Sequence, residues 1–451
     1  MKKIFWPKYQ LDGGMPRYGL ERMQMFFDAM KMDETKLPPI FHITGTNGKG
    51  STTAFIKYIL EANGYLVHRF TSPHIVEWNE RIEVSSKIIT DEYANEVAQK
   101  LKDFADANGL QVSYFEGIFA LASKMFSENP AVACVLEVGM GGRLDATNAF
   151  KNSLVSIITY ISLDHCKTLG ATRELIAVEK AGILKENGIL IIGKQEQDAL
   201  QVLLKNGKEK NNKIYAFGRD FNVEKTDYGF IFEGFGKTLK LPTPRLYGEH
   251  QIENAGGAIA ALLAQDKIKI SDESIGLGLK NTHWLGRLQN MSKSKLLQYL
   301  PKNTEFVIDG AHNDSGARVL KDWLLEQKKT FILSSNDDFY RTQQQKFNIL
   351  ITSMLSRKNS TLFINNLEKC FDLVLTIQMH DEEATRPPED FKQEFISLGW
   401  NNVVAIDGNF IDALKYIKNN HKDNVRVVIA GSLHLMGEVL EVERDMGGEI
   451  Y

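Results

Sequence analysis

A glycine-rich stretch, TGTNGKGST at residues 44–52, constrains the fold of this chain more than any other feature of the sequence. It follows the apolar run Ile40–Ile43, which has the character of a buried strand. It leads into a helical pattern, Ser51–Asn63, and Gly64 is well placed to end that helix. A strand, a glycine-rich turn and a helix in this order indicate a βα unit whose helix begins at a ligand.

The chemistry of the turn favours a phosphate ligand. Glycines tolerate the backbone angles that aim successive N–H groups into one concavity, and they let an anion approach closely. Lys49 adds a cation, and Ser51 adds a hydroxyl that can hold Mg²⁺. Gly50, between the lysine and the serine, departs from the usual GxxxxGK[ST] pattern. The alternative, a glycine-rich turn that binds nothing, therefore stays open on the motif alone.

Apolar runs alternate with helical patterns along most of the chain, which predicts an α/β fold with a mostly parallel sheet. Between Tyr215 and Leu241 the pattern changes to hairpins with polar faces, which predicts a small antiparallel flap. The alternation resumes at TEFVIDGAHN. We therefore expect a mostly parallel N-terminal domain that carries the P-loop-like turn, at residues 1–290, and a smaller, Rossmann-like C-terminal domain at residues 297–451.

One polar segment, Ser334–Asn348, interrupts the alternation in the second domain. It follows the apolar letters KTFIL, which we interpret as lying near the end of a strand. The segment itself is predicted to be an insertion or a long surface loop.

Composition excludes several classes of function. A net charge of −3 over 451 residues gives no basic field for nucleic acid. The three cysteines have no CxxC spacing, which favours a reducing compartment over a disulfide framework or a zinc cluster. No secretory signal is visible, and no run approaches the ~18 apolar residues of a membrane span. We expect a cytoplasmic monomer that does not bind membranes.

Polar residues at predicted strand ends are further candidates, because ligands of open α/β sheets bind outside the carboxyl ends of strands. Ser72 follows one strand and Glu137 ends another, where each is able to ligate Mg²⁺. His165 follows a third strand, and it lies beside Glu137 if the two strands are neighbours. Each of these residues also has an alternative without a metal. Ser72 would belong to an ordinary capped turn, Glu137 would be a paired strand-end glutamate, and His165 would be a structural histidine.

Two other residues of this kind occur later in the chain. Lys180 lies on a mainly apolar helix, where most lysines extend to solvent or pair with acids. DGAHN, Asp309–Asn313, follows an apolar strand of the second domain and opens a helix. Strand-end sites on two domains suggest a cleft between the domains.

The order of these motifs resembles one family, the folylpolyglutamate synthases and dihydrofolate synthases of the Mur ligase superfamily. The resemblance rests on HITGTNGKGSTT, FTSPHIVEWNERI, LEVGMGGRLDATN, GEHQIENA, GRLQ, DGAHN and AGSLHLMGEVL, and it extends from about Gly19 to Leu440. The additional glycine of the loop is this family's own pattern. His434 stands where the family more usually has tyrosine or phenylalanine.

The resemblance implies an ATP-dependent ligase. ATP phosphorylates a carboxylate of dihydropteroate or of a reduced folate, and the amine of L-glutamate attacks the resulting acyl phosphate. ATP and Mg²⁺ are the implied cofactors, and Mg²⁺ is implied at two sites. Small molecules are the implied partners.

The resemblance also implies roles for individual residues. Those implied for ATP and its phosphates are Gly45, Thr46, Asn47, Gly48, Lys49, Gly50, Ser51, Thr52, Asn254 toward adenine, Arg287 toward the phosphates and Asp309 toward ribose. Those implied for metal are Ser51, Ser72, Glu137 and His165, the last for a second Mg²⁺. Those implied near the substrates are Asp145, Ala146, Thr147 and Asn148 toward the pterin ring, and His312 and Ser432 toward glutamate. Lys49, His165, Lys180 and His312 are the implied catalytic residues, with Lys180 at the position of a lysine that many relatives carbamylate.

Two other functions remain as alternatives. Another Mur-type ligase would add an amino acid to a UDP-linked acid, and it would need an additional N-terminal domain. The loop begins too early in this chain to leave room for one. A P-loop regulatory module would need mobile switch loops and a partner surface, but it would not need the DGAHN domain.

Overall fold

A computed structural model describes residues 6–7, 20–334, 346–367, 370–380 and 384–450, with the side chains of 328–334 excepted. The chain divides into two compact units. The first unit extends to Arg245 and resumes over Glu249–His283, whereas the second contains Leu246–Gly248 and the chain from Trp284 onward.

An eight-stranded sheet forms the centre of the first unit. Its strands are β1 (Ile40–Thr44), β2 (Val67–Phe70), β3 (Ile82–Val84), β4 (Lys87–Ile88), β5 (Ala133–Glu137), β6 (Val155–Ile158), β7 (Ile189–Ile192) and β8 (Lys213–Ala216). They lie in the order β4-β3-β2-β5-β1-β6-β7-β8. The pairs from β2 to β8 are parallel, and β3 and β4 add an antiparallel edge. The predicted mostly parallel sheet is confirmed.

Helices cover this sheet. Those of the first unit are α1 (Glu21–Ala29), α2 (Lys49–Ala62), α3 (Asp91–Ala107), α4 (Tyr114–Glu128), α5 (Cys166–Leu169), α6 (Arg173–Ala181), α7 (Gln197–Glu209), α8 (Glu249–Leu263) and α9 (Asp272–Asn281). α2 ends as its sequence predicts, because Gly64 has a φ of +83° and its N–H donates to the carbonyl of Glu61 at 2.9 Å. α4 begins at a capping box between Ser113 and Glu116, and its apolar residues lie in the core.

The predicted flap is also confirmed. It is a three-stranded antiparallel sheet of β9 (Phe221–Thr226), β10 (Gly229–Gly234) and β11 (Lys237–Pro242), with β10 in the centre. Phe230 and Phe232, two residues apart on β10, are both buried. Side chains with this spacing point to the same face of a strand, so that face of the flap is its packed face.

A six-stranded mixed sheet forms the second unit. Its strands are β12 (Gln289–Asn290), β13 (Glu305–Ile308), β14 (Phe347–Thr352), β15 (Leu373–Thr376), β16 (Val403–Ala405) and β17 (Val425–Ala430), in the order β12-β13-β17-β14-β15-β16. Only β12 is antiparallel to its neighbour. Its helices are α10 (Asp314–Ser334), α11 (Ser360–Asn366), α12 (Pro388–Ser397), α13 (Phe410–Asn420) and α14 (Leu433–Asp445).

The interpretation of the polar segment is wrong in two respects. The letters KTFIL belong to the last turns of α10 and not to a strand. Phe347 and Asn348, assigned to the insertion, begin β14, which lies between β17 and β15. The rest of the proposed insertion, 335–345, lies outside the described residues.

Across the described ranges of the chain, we find no helix with the length and apolar character that a membrane crossing requires.

Candidate active site

The glycine-rich loop between β1 and α2 is held in place by the segment that follows β6. The N–H groups of Thr46 and Asn47 both donate to the carbonyl of Tyr160, at 2.9 and 3.2 Å. The hydroxyl of Thr159 donates to the carbonyl of Asn47 at 2.7 Å. Because β1 and β6 are parallel neighbours, these segments meet at the carboxyl edge of the sheet. Thr159 and Tyr160 were not among the predicted site residues, and their only signal in the sequence is their position directly after a buried strand.

Two glycines of the loop occupy positions where a side chain would not fit. Gly45 and Gly48 have φ angles of +152° and +85°. A Cβ atom at Gly45 would overlap the hydroxyl of Thr159, and one at Gly48 would overlap the side chain of Asn254 on α8. The loop is therefore packed closely on its inner side, and Asn254 lies against it, whereas its role toward adenine stays a prediction.

The start of α2 has the features of an anion site. Ser51 is only 2% exposed, and the hydroxyl of Thr52 is buried with no hydrogen-bond partner among the described residues. α2 has 14 residues, so its first N–H groups and its dipole favour a negative charge at this end. The glycines, the hydroxyls and the helix start fit a bound phosphate.

Two lysines converge on the loop. The ammonium group of Lys49 donates to the carbonyls of Gly45 and Thr46, both at 3.1 Å. Lys180, from α6, donates to the same carbonyl of Gly45 at 2.7 Å. The sequence alone gave Lys180 no role beyond that of an ordinary helical lysine, because the contact joins residues that are far apart in the chain.

The charge state of Lys180 follows from its surroundings. The residue is 3% exposed. Burial, reinforced by the charge of Lys49, lowers the pKa of Lys180 well below 10.5, while Asp164 and Asp145 act in the opposite direction. The neutral amine is thus favoured far more than for a lysine in water.

Ser72 and Glu137, both predicted to ligate Mg²⁺, are joined by a hydrogen bond. The N–H of Ser72 donates to the Oε2 atom of Glu137 at 3.3 Å, and Glu137 is 5% exposed. Arg81 donates to the hydroxyl of Ser72 at 3.0 Å and fixes its direction. Since β2 and β5 are parallel neighbours, this pair stands at the same edge of the sheet as the glycine loop.

His165 lies on another part of that edge. Its strand, β6, is not next to β5, because β1 lies between them, so the condition that placed His165 beside Glu137 is not met. His165 precedes α5 with a φ of +52°, and its side chain is 43% exposed. The backbone N–H of His165 donates to the carboxylate of Asp164 at 2.8 Å.

The four residues from Asp145 to Asn148 are buried. The carboxylate of Asp145 accepts hydrogen bonds from the N–H and the hydroxyl of Thr147 and from the N–H of Met140, at 2.6–3.0 Å. The side-chain amide of Asn148 donates to two backbone carbonyls and accepts from Lys185 at 2.8 Å. These side chains therefore shape their own loop, and their predicted position near a pterin ring stays a prediction.

In the second unit, Asp309 and Arg287 lie together at the end of β13. The carboxylate of Asp309 accepts from the N–H groups of Leu288 and Ala311, at 2.7 and 2.8 Å. Burial raises the pKa of Asp309, and the charge of Arg287 opposes that rise. Arg287 donates to the carbonyl of Gly286 at 3.0 Å.

His312 and Ser432 belong to the same edge of the second sheet, since β13 and β17 are parallel neighbours. The Nδ1 atom of His312 lies 2.7 Å from the carbonyl of Gly310, which assigns the proton to Nδ1. Ser432 caps α14 by accepting from the N–H of His434 at 3.1 Å. The predicted residues Arg287, Asp309, His312 and Ser432 thus all lie in the second unit.

The donors predicted for a metal ion suit a hard cation. Within the described parts of the chain, no group of three or more histidine, cysteine, aspartate or glutamate side chains has the arrangement of a metal site. The predicted donors are instead the hydroxyls of Ser51 and Ser72, the carboxylate of Glu137 and the imidazole of His165. The hydroxyl and carboxylate oxygens, completed by phosphate oxygens and water, are typical Mg²⁺ ligands, whereas His165 would add a nitrogen donor.

Comparisons with known proteins agree with this architecture. The model of the Mur ligase middle domain matches residues 43–262, and that of the dihydrofolate synthetase C-terminal domain matches residues 292–442. The dihydrofolate synthase/folylpolyglutamate synthase of Bacillus subtilis (strain 168) is 32% identical over 435 residues, which cover 93% of this chain and 94% of that protein.

Solved structures give the same result. Escherichia coli FolC in complex with DHPP and ADP has a TM-score of 0.82 and 26% identity, covering 97% of this chain and 96% of that chain. A bifunctional folylpolyglutamate synthase/dihydrofolate synthase with Mn, AMPPNP and L-glutamate bound has a TM-score of 0.78 and 25% identity, covering 95% of each chain.

A glycine loop on a mostly parallel sheet, followed by a second α/β unit with its own strand-end site, defines an amino-acid ligase of the Mur type. Within that class, the chain belongs to the dihydrofolate synthase/folylpolyglutamate synthase family.

Proposed function

We propose that this enzyme joins L-glutamate to dihydropteroate, to reduced folate (poly)glutamates, or to both, with ATP as the energy source. The observation that carries the proposal is the glycine loop at the start of α2, where Lys49 and Lys180 both reach the carbonyl of Gly45. Membership of the family adds the substrate class. ADP, AMPPNP, L-glutamate and DHPP bound to relatives support the same choice of small molecules.

The reaction needs a phosphate site because a carboxylate does not react with an amine at neutral pH. Transfer of the γ-phosphoryl group of ATP gives an acyl phosphate, and attack by the amine of glutamate then releases phosphate. The carboxylate and the γ-phosphate repel each other, so the site must supply cations and aligned N–H groups. The loop residues Gly45–Gly50, Ser51 and Thr52 are suited to hold the phosphates, with Lys49 as the cation.

We propose that Ser51, Ser72 and Glu137 hold the Mg²⁺ of MgATP and that His165 serves a second ion. A divalent ion bound there would neutralise charge on the phosphates. The hydrogen bond from Arg81 to Ser72 and the one from Ser72 to Glu137 would keep these donors in position. Mn bound to a relative together with AMPPNP supports a divalent ion in this family.

Lys180 is the proposed site of carbamylation. A neutral amine is the form that reacts with CO₂, and burial lowers the pKa of Lys180 in favour of that form. The carbamate would replace an amine by an anion close to the loop. Carbon-13 NMR of protein equilibrated with labelled CO₂ tests this, since the Lys180→Met variant must lack the carbamate signal.

The remaining roles belong to both units. Asn254 is proposed to face adenine, Arg287 the phosphates and Asp309 the ribose, whereas His312 and Ser432 are proposed to serve the incoming glutamate. Asp145–Asn148 would shape the site of the pterin ring. We also propose the division into an ATP-binding domain at residues 1–290 and a glutamate-ligase domain at residues 297–451, in a monomeric cytoplasmic protein without membrane or nucleic-acid partners.

ADP release tests the proposal directly. With ATP, Mg²⁺ and glutamate present, we expect turnover with dihydropteroate, with tetrahydrofolate or with both, and none when glutamate is omitted. The comparison of the two acids assigns the substrate. ADP release that does not depend on glutamate would instead favour a P-loop regulatory module, and turnover only with a UDP-linked acid would favour another Mur-type ligase.

A further inference from the structure

The turn that carries Arg287 has an unusual backbone. Gly286 and Leu288, on either side of Arg287, have φ angles of +65° and +43°. Positive φ is unfavourable for a leucine, so neighbouring groups must hold this conformation. The direction of the Arg287 side chain depends on that backbone.

Hydrogen bonds fix three points of the turn. Asp309 accepts from the N–H of Leu288 at 2.7 Å. The carbonyl of Gly286 accepts from the N–H of Gly310 at 2.8 Å and from the guanidinium of Arg287 at 3.0 Å. A Cβ atom at Gly310 would overlap that guanidinium, so Arg287 lies directly against the backbone at the end of β13.

Gln289 closes the turn. Its Oε1 atom accepts from the N–H of Gly286 at 2.9 Å, and its Nε2 atom donates to the carbonyl of Ile450 at 3.1 Å. The pairing of Gln289 with Ile308 on β13 uses backbone atoms, so the strand itself does not require a glutamine. One side chain thus joins the start of the turn, its end and the segment after α14.

We infer that Gln289 is a positioning residue for Arg287. Both polar atoms of its side chain bond to backbone groups. It fixes the N–H of Gly286, and the carbonyl of the same glycine receives the guanidinium of Arg287. The inference rests on the proposed role of Arg287 toward phosphate, and it gives a role to the last residue of the GRLQ motif, which had none so far.

The test uses two variants of the full-length enzyme. Gln289→Met keeps the size of the side chain and removes both hydrogen bonds, whereas Gln289→Glu keeps the acceptor for the N–H of Gly286. We expect Gln289→Met to lower kcat/KM for ATP about tenfold, because small displacements of a positioning group are costly. Gln289→Glu is expected to lower it less, and it provides the measurement if the methionine variant does not fold.

Gln265 offers a matched control. Its side chain also bonds only to backbone groups, those of Leu262 and Ile268, but it lies in the first unit after α8. We expect Gln265→Met to lower the Tm while leaving kcat/KM for ATP unchanged. A kinetic loss equal to that of Gln289→Met would show that the loss reflects stability alone, and the inference would be overturned.

The decisive measurement is a double-mutant cycle with Arg287→Ala, which we expect to lower kcat/KM for ATP about 100-fold. If Gln289 acts through Arg287, Gln289→Met causes no further loss in that background. A full additional loss, or wild-type kinetics of Gln289→Met alone, would overturn the inference about Gln289. Wild-type kinetics of Arg287→Ala would instead contradict the proposed role of Arg287.

Discussion

The carboxyl ends of β1 and β13 are organised by side chains of opposite chemical type, with amines at β1 and a carboxylate at β13. At β1, in the first unit, Lys49 and Lys180 donate to the loop carbonyl of Gly45. At β13, in the second unit, the carboxylate of Asp309 accepts from two backbone N–H groups. Each unit thus uses polar side chains to hold irregular backbone after a parallel strand. The first places the ammonium group of Lys49 and the amine of Lys180 on the loop, whereas the second uses the carboxylate of Asp309 to hold the turn that carries Arg287.

The largest expected effect tests the role of Lys49 on the glycine loop. We expect Lys49→Ala to lower the rate of ADP release by about 1,000-fold, because a single donor to a reacting phosphate is worth that much in a site that excludes water. Lys100, an exposed lysine that pairs with Glu96 on α3, is the control, and Lys100→Ala is expected to have no effect. Turnover of Lys49→Ala at the wild-type rate would show that the cation on the loop is not used.

The free energy of unfolding, measured as a function of pH, tests the charge states of Lys180 and Asp309 together. The lowered pKa of Lys180 means that the folded protein binds fewer protons than the unfolded chain between that pKa and 10.5, so the free energy of unfolding rises with pH there. The raised pKa of Asp309 has the opposite sign, and the free energy of unfolding falls as pH rises from 3.8 to that pKa.

Urea unfolding at a series of pH values in CO₂-free buffer measures both slopes, each at most about 1.4 kcal/mol per pH unit. We expect Lys180→Met to flatten the alkaline slope and Asp309→Asn to flatten the acidic one. Lys100→Ala is the control and should leave both slopes in place. A variant whose own slope is unchanged would contradict the buried charge state assigned to that residue.

The smallest expected effect concerns His165, an exposed residue at the carboxyl edge of the first sheet. His165→Ala should raise the Mg²⁺ concentration for half-maximal activity about tenfold, with activity restored at saturating Mg²⁺, because it removes one metal donor. His421, which lies against Phe347 in the second unit, gives a control substitution. An unchanged Mg²⁺ titration of His165→Ala would remove this residue from the metal site.

Much of the fold was predictable because alternating apolar runs and helices specify parallel sheets. The order of strands was not, since the sequence does not say which strand adds to which edge. For that reason the sequence could not decide whether His165 lies beside Glu137. The two strands are in fact separated by β1. β14 was missed because its first residues follow a polar segment and because KTFIL, read as a strand, continues α10.

The candidate site was predictable where one short motif carries the chemistry, as in the loop at residues 45–52. It was not predictable where the function of a side chain depends on a distant partner. Lys180 reaches Gly45, Thr159 reaches Asn47, and Gln289 reaches Ile450. Hydrogen bonds across such sequence separations leave no periodic pattern, so only the coordinates reveal them.

The packing beneath the glycine loop limits how far the motif can be transplanted. Its inner surface is shaped by Thr159 and Tyr160 after β6 and by Asn254 on α8, contributed by chain far downstream. Grafting the nine letters TGTNGKGST onto another strand and helix would carry over the glycines without the scaffold that bends them. A protein engineer who wants this nucleotide cradle elsewhere would have to move three separate stretches of the chain, and a motif search that scores only the loop overlooks two of them.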